Sequence, residues 1–400
     1  MAVLHLALFA VAVAAAPQVE LSTLTGEEHR GELVALDGTS LTLKKGDKEV
    51  KLPLAGLLGV RFTADAPPKR VDRGLSHVLF RDGSRFRSAK ANVSGRRGDF
   101  AGGQLGSFSV PRTAVLSVRF DAERSLDGAW SKLLDRTRKR DLLVIKKKTV
   151  LDFLEGSVLS VGEKEVTFLL GEDEIPVPRA KVFGVIYADR KTAAPKPVCE
   201  VILHNSGRLL ATQLEWIGTA AKATLSAGGE VEIPGESIRE LDFSLGKVRY
   251  LSQMEPREYA YVNFWGEKSE NILALFKYRR DKNQGGQPLR LGNKTYARGL
   301  SIHSKTTLVY RINTDYRRFK AIVGIDYFSA QNGGGDVHLV ISNRDNKKVL
   351  FEADVRGTDK PRVIDLDVSR VRDLEILVDY GGDNLDIGDW LDLADARVTK

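Results

Sequence analysis

Along most of the chain, apolar and polar residues alternate in short runs broken by glycine-bearing turns, the period-two signature of antiparallel strands. Asp37-Gly38, Asp82-Gly83, Val161-Gly162 and Gly228-Gly229 are such turns. Four stretches of alternation close alike. Leu52-Pro53 leads to Phe62, Val110-Pro111 to Phe120, Val177-Pro178 to Tyr187 and Ile233-Pro234 to Phe243, an aromatic following each proline by nine positions. Leu57, Val115, Val182 and Ile238 stand four places after the proline, and Val60, Val118, Val185 and Leu241 seven places after it. Four matching columns in four copies mark an internal repeat. Proline here predicts a strand start or a short helical turn, where its missing N–H costs no ladder bond.

The pattern predicts an all-β chain that begins with four small β-barrel or β-roll units, near residues 24–64, 75–122, 141–189 and 197–245. In strand pattern and length they are similar to SH3-like or Sm-like small barrels. Between the second and third, Trp130, Leu133 and Leu134 at helical spacing predict a short amphipathic helix within Ser125 to Arg140. Residues 64–70 and 191–197 have the composition of linkers. Small units of this size gain core by packing together, so a stacked scaffold is the expected role, with a protein partner as a possible client.

Beyond Leu251 the character changes. Val337, Leu339 and Ile341 alternate with His338, Val340 and Ser342, and Leu374, Ile376 and Val378 with Glu375, Leu377 and Asp379, as strands of a face-packed sandwich do.

Composition adds limits rather than a function. With 400 residues, 42% hydrophobic and 28% charged, the chain is a folded protein of several units. The run from Ala2 to Ala16 carries no charge and ends in small residues before Pro17, so residues 1–16 are expected to be a signal peptide and the protein to be secreted, periplasmic or in the cell envelope. Cys199 is the single cysteine, which excludes an intrachain disulfide, and it is expected to be a small strand residue. The net charge of +8 is densest at Arg136, Arg138, Lys139, Arg140 and Lys146, Lys147, Lys148. Asp135 and Asp141 interrupt it and no stacking aromatics interleave, so a solvated face is expected and nucleic acid is not. Contact with a membrane beyond export is not expected either.

The C-terminal third carries a recognisable succession: Lys277-Tyr278-Arg279-Arg280-Asp281, Pro288-Leu289-Arg290-Leu291, Tyr296-Ala297-Arg298-Gly299-Leu300-Ser301-Ile302-His303-Ser304, Gly335-Asp336-Val337-His338-Leu339-Val340, then Asp386, Asp389-Trp390 and Ala394-Asp395-Ala396-Arg397. Over residues 255–400 this resembles the NPCBM family, the novel putative carbohydrate-binding modules found attached to glycoside hydrolases and in many bacterial exported proteins. The resemblance implies a jelly-roll β-sandwich, sugar recognition through loops at one edge and, in some members, a structural calcium ion. Ser301 stands where members commonly have glycine. Asp386-Ile387-Gly388-Asp389 stands where many have an Asp-His pair before the late tryptophan.

The candidate carbohydrate-binding residues are His303, Tyr327, Asn332, Asp336 and Trp390. Imidazole, amide and carboxylate groups bond sugar hydroxyls, and aromatic rings stack on pyranose faces; Trp390 reads more readily as a core residue, and Asn332 and Asp336 more readily as plain turn residues. Asp379, Asp383, Asp386, Asp389, Asp392 and Asp395 crowd one stretch, and clustered carboxylates suit calcium, with Asp386 and Asp389 the first ligands. A glycosidase needs two carboxylates flanking a bond, and no second acidic motif stands apart from this one, so no catalytic residue is assigned. The expected function is an exported, non-catalytic protein that binds a polysaccharide or glycan. The alternatives are an assembly protein whose sandwich contacts other proteins, and an accessory part of a glycoside hydrolase system.

Overall fold

A computed structural model describes residues 16–63, 74–121, 123–190, 194–264, 276–312 and 314–400. The expected signal peptide, most of the 64–70 and 191–197 linkers and Trp265 lie outside the described residues, wholly or in part. The chain is all-β, 58% strand and 8% helix. It divides into two compact units, one ending at Leu245 and one spanning Gly246–Lys400. No helix among the described residues is long and apolar enough to cross a membrane.

In the N-terminal unit the repeat is structural. Each copy has five strands, six in the second, where the long second strand is broken at Ala89, and the last strand returns to pair with the first: Leu57–Phe62 with Gln18–Thr23, Val115–Arg119 with Ser76–Phe80, Val182–Ile186 with Asp141–Lys147, and Ile238–Asp242 with Cys199–Leu203. The repeated proline ends the last strand but one and opens a three-residue 3-10 turn: Leu54–Gly56, Arg112–Ala114, Arg179–Lys181 and Gly235–Ser237. Proline has no N–H to offer a ladder, so that strand stops there and the turn swings the chain to the last one. That break corrects the barrel reading, since no closed barrel forms. The first copy starts at Gln18, earlier than its expected edge, because Val19 and Leu21 are buried against the last strand.

Copies also join each other. The last strand of the first pairs with that of the fourth, Val60 opposite Leu241, and the last strand of the second with that of the third, Val118 opposite Val185. One hydrophobic core consequently runs through all four, from Val19 to Phe243. Cys199 is buried in this core.

The helix between the second and third copies is shorter than expected, Asp127–Leu134, with Trp130 and Leu133 buried. It ends because Arg138 folds back. The Arg138 guanidinium donates to the free carbonyls of Leu133 and Leu134 at 2.8 and 2.7 Å and pairs with Asp189 at 2.6 Å. A buried cation at a helix C-terminus satisfies acceptors the helix cannot. Arg138 therefore departs from the expected solvated face, whereas Lys146 and Lys147 are surface partners of Glu123 and Asp152.

The C-terminal unit is a β-sandwich. One sheet contains Arg279–Arg280, Gly299–His303, Trp390–Thr399, Arg318–Ile325 and Arg362–Asp367 in that order, with Val248–Tyr250 also on Trp390–Thr399. The other runs Glu258–Tyr261, Thr306–Arg311, Asp373–Tyr380, Asp336–Asn343, Lys348–Arg356. Leu339 lies opposite Val378, and the alternating residues Val337, Leu339, Ile341, Leu374, Ile376 and Val378 all face the core.

Candidate functional site

Strand alternation decides which groups of the first sheet leave the core. Leu300, Ile302, Leu391 and Leu393 point inward. Ser301, His303, Trp390 and Asp392 therefore point outward, with Ser301 opposite Asp392 and His303 opposite Trp390. The chain after Arg280 crosses over this outer face. Gln284 donates to the Ser301 carbonyl at 3.1 Å, and Leu289, Leu291 and Tyr296 pack on Ala394.

Beneath this cover two carboxyl groups, Asp326 and Asp392, are fully buried side by side. Burial first, and then the neighbouring Asp326 carboxylate, hold Asp392 protonated well above the usual carboxylate range. Asp326 accepts from Asn283 Nδ2 at 3.2 Å and caps the short helix Tyr327–Ala330 by accepting the Phe328 N–H at 3.0 Å. The pair fastens loops to the sheet. Enclosed as it is, it cannot flank a glycosidic bond.

The candidate residues gather at the sandwich end formed by residues 326–336 and 381–390. Ser329 Oγ donates to the Gly388 carbonyl at 2.5 Å and the Gly335 N–H to the Ile387 carbonyl at 3.3 Å, which locks the two loops together. Asp389 Oδ1 accepts the Asp336 N–H at 3.0 Å, while the Asp336 carboxylate faces Arg356 at 3.4 Å. Asp389 is fully buried, and burial pushes its carboxyl up to about 7 against the opposing hydrogen bonds from Ser304 and Asp336.

Trp390 is half-buried and belongs to no core cluster, which corrects the core reading. Its ring edge lies beside Gly285, where an added Cβ would stand 4.0 Å away. His303, by contrast, is only 2% exposed, so it is a supporting residue rather than a surface contact. Its ring sits 4.5 Å from Phe276 and 6.1 Å, edge-on, from Tyr261. Burial lowers its pKa, opposed by the Ser304 carbonyl and by Asp386, so the imidazole is neutral at pH 7. Asp386 also raises the Tyr261 and Tyr380 hydroxyls, after burial, which places its charge between two aromatic groups. On the far side, Lys305 Nζ lies 4.7 Å over the Tyr380 ring and 2.6 Å from Asp379, with Phe264 5.8 Å away.

Tyr327 and Asn332 sit on the neighbouring loop. The Arg290 guanidinium covers one face of the Tyr327 ring at 3.6 Å, and exposed Asn332 donates to the Phe328 carbonyl at 3.3 Å. Among the described residues no three carboxylates, histidines or cysteines cluster to hold a metal ion. Asp386 and Asp389 therefore have no third carboxylate grouped with them among the described residues. Tyr261, Phe276, Tyr380 and Lys305 were not among the sequence candidates. Nothing local to Tyr261 or Phe276 showed that both rings would meet His303.

Two packed sheets with aromatic and carboxylate side chains gathered at one end make the C-terminal unit a β-sandwich. Residues 249–399 match the family model of the NPCBM/NEW2 domain, a family of binding modules. Among solved structures, the chain is similar to a CBM51 module from Clostridium perfringens GH95 in complex with methyl-galactose, at 18% identity over 38% of this chain and 99% of that one, TM-score 0.32. It is also similar to CBM51-2 with INT domains from Clostridium perfringens ZmpB in complex with GlcNAc, at 19% identity over 50% of this chain and 43% of that one, TM-score 0.33. A third is the tandem CBM51 modules of Sp3GH98 from Streptococcus pneumoniae SP3-BS71, at 12% identity over 81% of this chain and 87% of that one, TM-score 0.31. No curated protein matches the chain.

Proposed function

We propose that the protein is an exported, non-catalytic carbohydrate-binding protein whose sandwich holds a glycan at the 381–390 end, with the repeats as its scaffold. The half-buried Trp390 ring carries the reading, because it belongs to no core cluster and its neighbour Gly285 lays no side chain over its edge. An aromatic face there stacks on the C–H face of a pyranose, and the Asp386 carboxylate accepts from its hydroxyls. His303, neutral and packed under Phe276 and Tyr261, keeps those rings in place. The uncharged segment from Ala2 to Ala16 supports export.

A glycan array on the full chain, followed by titration calorimetry with the best hit, tests the reading. Trp390→Ala is expected to weaken that hit by at least about tenfold, with the melting temperature nearly unchanged, as loss of a stacking anchor does. Unchanged affinity would move the site elsewhere, and an array without hits would favour protein–protein assembly.

A further inference from the structure

The N-terminal unit holds a second candidate site, made of residues of that unit alone. The paired last strands of the second and third copies bring two sets of side chains around a cavity of about 610 Å³. Arg81, Arg96 and Arg112 come from the second copy, and Asp141, Tyr187 and Arg190 from the third. Neither copy alone forms it.

Its charge is offset only in part, since Asp189 and Asp141 attract Arg81 while Arg190 and Arg138 repel it. Arg81 donates to the Thr113 and Ala188 carbonyls at 3.0 and 2.6 Å, and Arg112 to the Leu159 carbonyl at 2.9 Å and to that of Val158. These are neutral acceptors, so both guanidiniums are fixed in direction while keeping their charge. Arg96 and Arg190 are exposed and, among the described residues, form no ion pair. The one carboxylate of the lining, Asp141, is committed to the Ala188 and Val158 N–H groups at 2.8 and 2.9 Å, and Asp189 outside the lining is paired with Arg138. Tyr187 lines the cavity with its ring under Arg112, 5.3 Å from the guanidinium, and its buried hydroxyl has no hydrogen-bond partner. A buried hydroxyl left unsatisfied is costly, and a bound oxyanion or its water would relieve that cost.

We propose that this cavity binds a sulfate or phosphate group carried on a small ligand of sugar size. Guanidinium forks match tetrahedral oxyanions bidentately, and two pre-anchored arginines lose little freedom on binding. The volume is that of a small-molecule site, too confined for a nucleic-acid duplex, and the one aromatic ring is already covered. The inference is independent of the sandwich reading, since it uses none of the same residues.

Titration calorimetry of the full chain at low salt would use inorganic phosphate, inorganic sulfate, glucose 6-phosphate and glucosamine 6-sulfate, with glucose as the uncharged control. At least one charged probe should bind where glucose does not. The combined variant Arg96→Ala with Arg190→Ala should weaken it by about tenfold or more, the scale of losing two charge-assisted contacts. Both side chains are exposed and unpaired, so folding should survive. Lys44→Ala with Lys45→Ala removes equal charge from another exposed site and should leave binding within about twofold, as screened distant charges do. Preference for the sulfated or the phosphorylated probe identifies the natural source. Absence of binding by every charged probe, or equal weakening by the two double variants, overturns the proposal.

Discussion

The two units use the same alternating strands to opposite ends. In the sandwich, a single stretch from Leu251 to Val398 closes its own core. In the repeats, four copies share one core, and each offers its last strand to another copy. Copies of this length bury too little apolar surface to stand alone, so repetition multiplies strands while stability resides in the pairings between copies. The contrast also separates kinds of site: the sandwich keeps its candidate residues on its own loops, whereas the arginine-lined cavity exists only between copies.

The most drastic way to break the comparison is to isolate the parts. Residues 246–400 alone are expected to unfold cooperatively, and residues 197–245 alone to show no thermal transition by circular dichroism, because Ile238–Asp242 loses its pairing with Leu57–Phe62. A cooperative melt of the single copy would disprove the shared core. Next in size is Gly184→Val. A Cβ at Gly184 would lie 2.7 Å from the Trp130 ring and 2.8 Å from the Val118 carbonyl, both too close to yield freely. Calorimetry should show a loss of roughly 3 kcal/mol confined to the repeat unit, with the sandwich transition unmoved.

A smaller effect sharpens the sandwich side. Asp389 keeps its proton up to about 7 in the folded protein, above its ordinary 3.8. The native state therefore binds more protons than the unfolded one between those values, so its contribution is full below about pH 4 and is lost as pH rises through about 7. Urea unfolding of the sandwich should lose on the order of 2 kcal/mol between acid and slightly alkaline pH, and Asp389→Asn should flatten that slope. Smallest is Arg138→Ala, expected to cost about 1 kcal/mol of repeat stability by freeing the Leu133 and Leu134 carbonyls. An unchanged melt would show that water caps the helix equally well.

Much of this was legible beforehand because it is local. Side-chain alternation along a strand needs only the strand itself, so the runs at Val337 to Ile341 and Leu374 to Val378 announced their inward faces. Likewise the missing N–H of Pro53, Pro111, Pro178 and Pro234 marks the same strand end four times. Only the folded chain decided that the first copy pairs with the fourth, since backbone ladders between edge strands carry no residue code. Folding likewise sank His303 beneath Phe276 and left Trp390 half open, although both point outward from adjacent strands. It also gathered Arg81, Arg96, Arg112 and Arg190 from distant turns. Burial and charge in such places depend on what other segments lay across them, which no window of neighbouring residues contains.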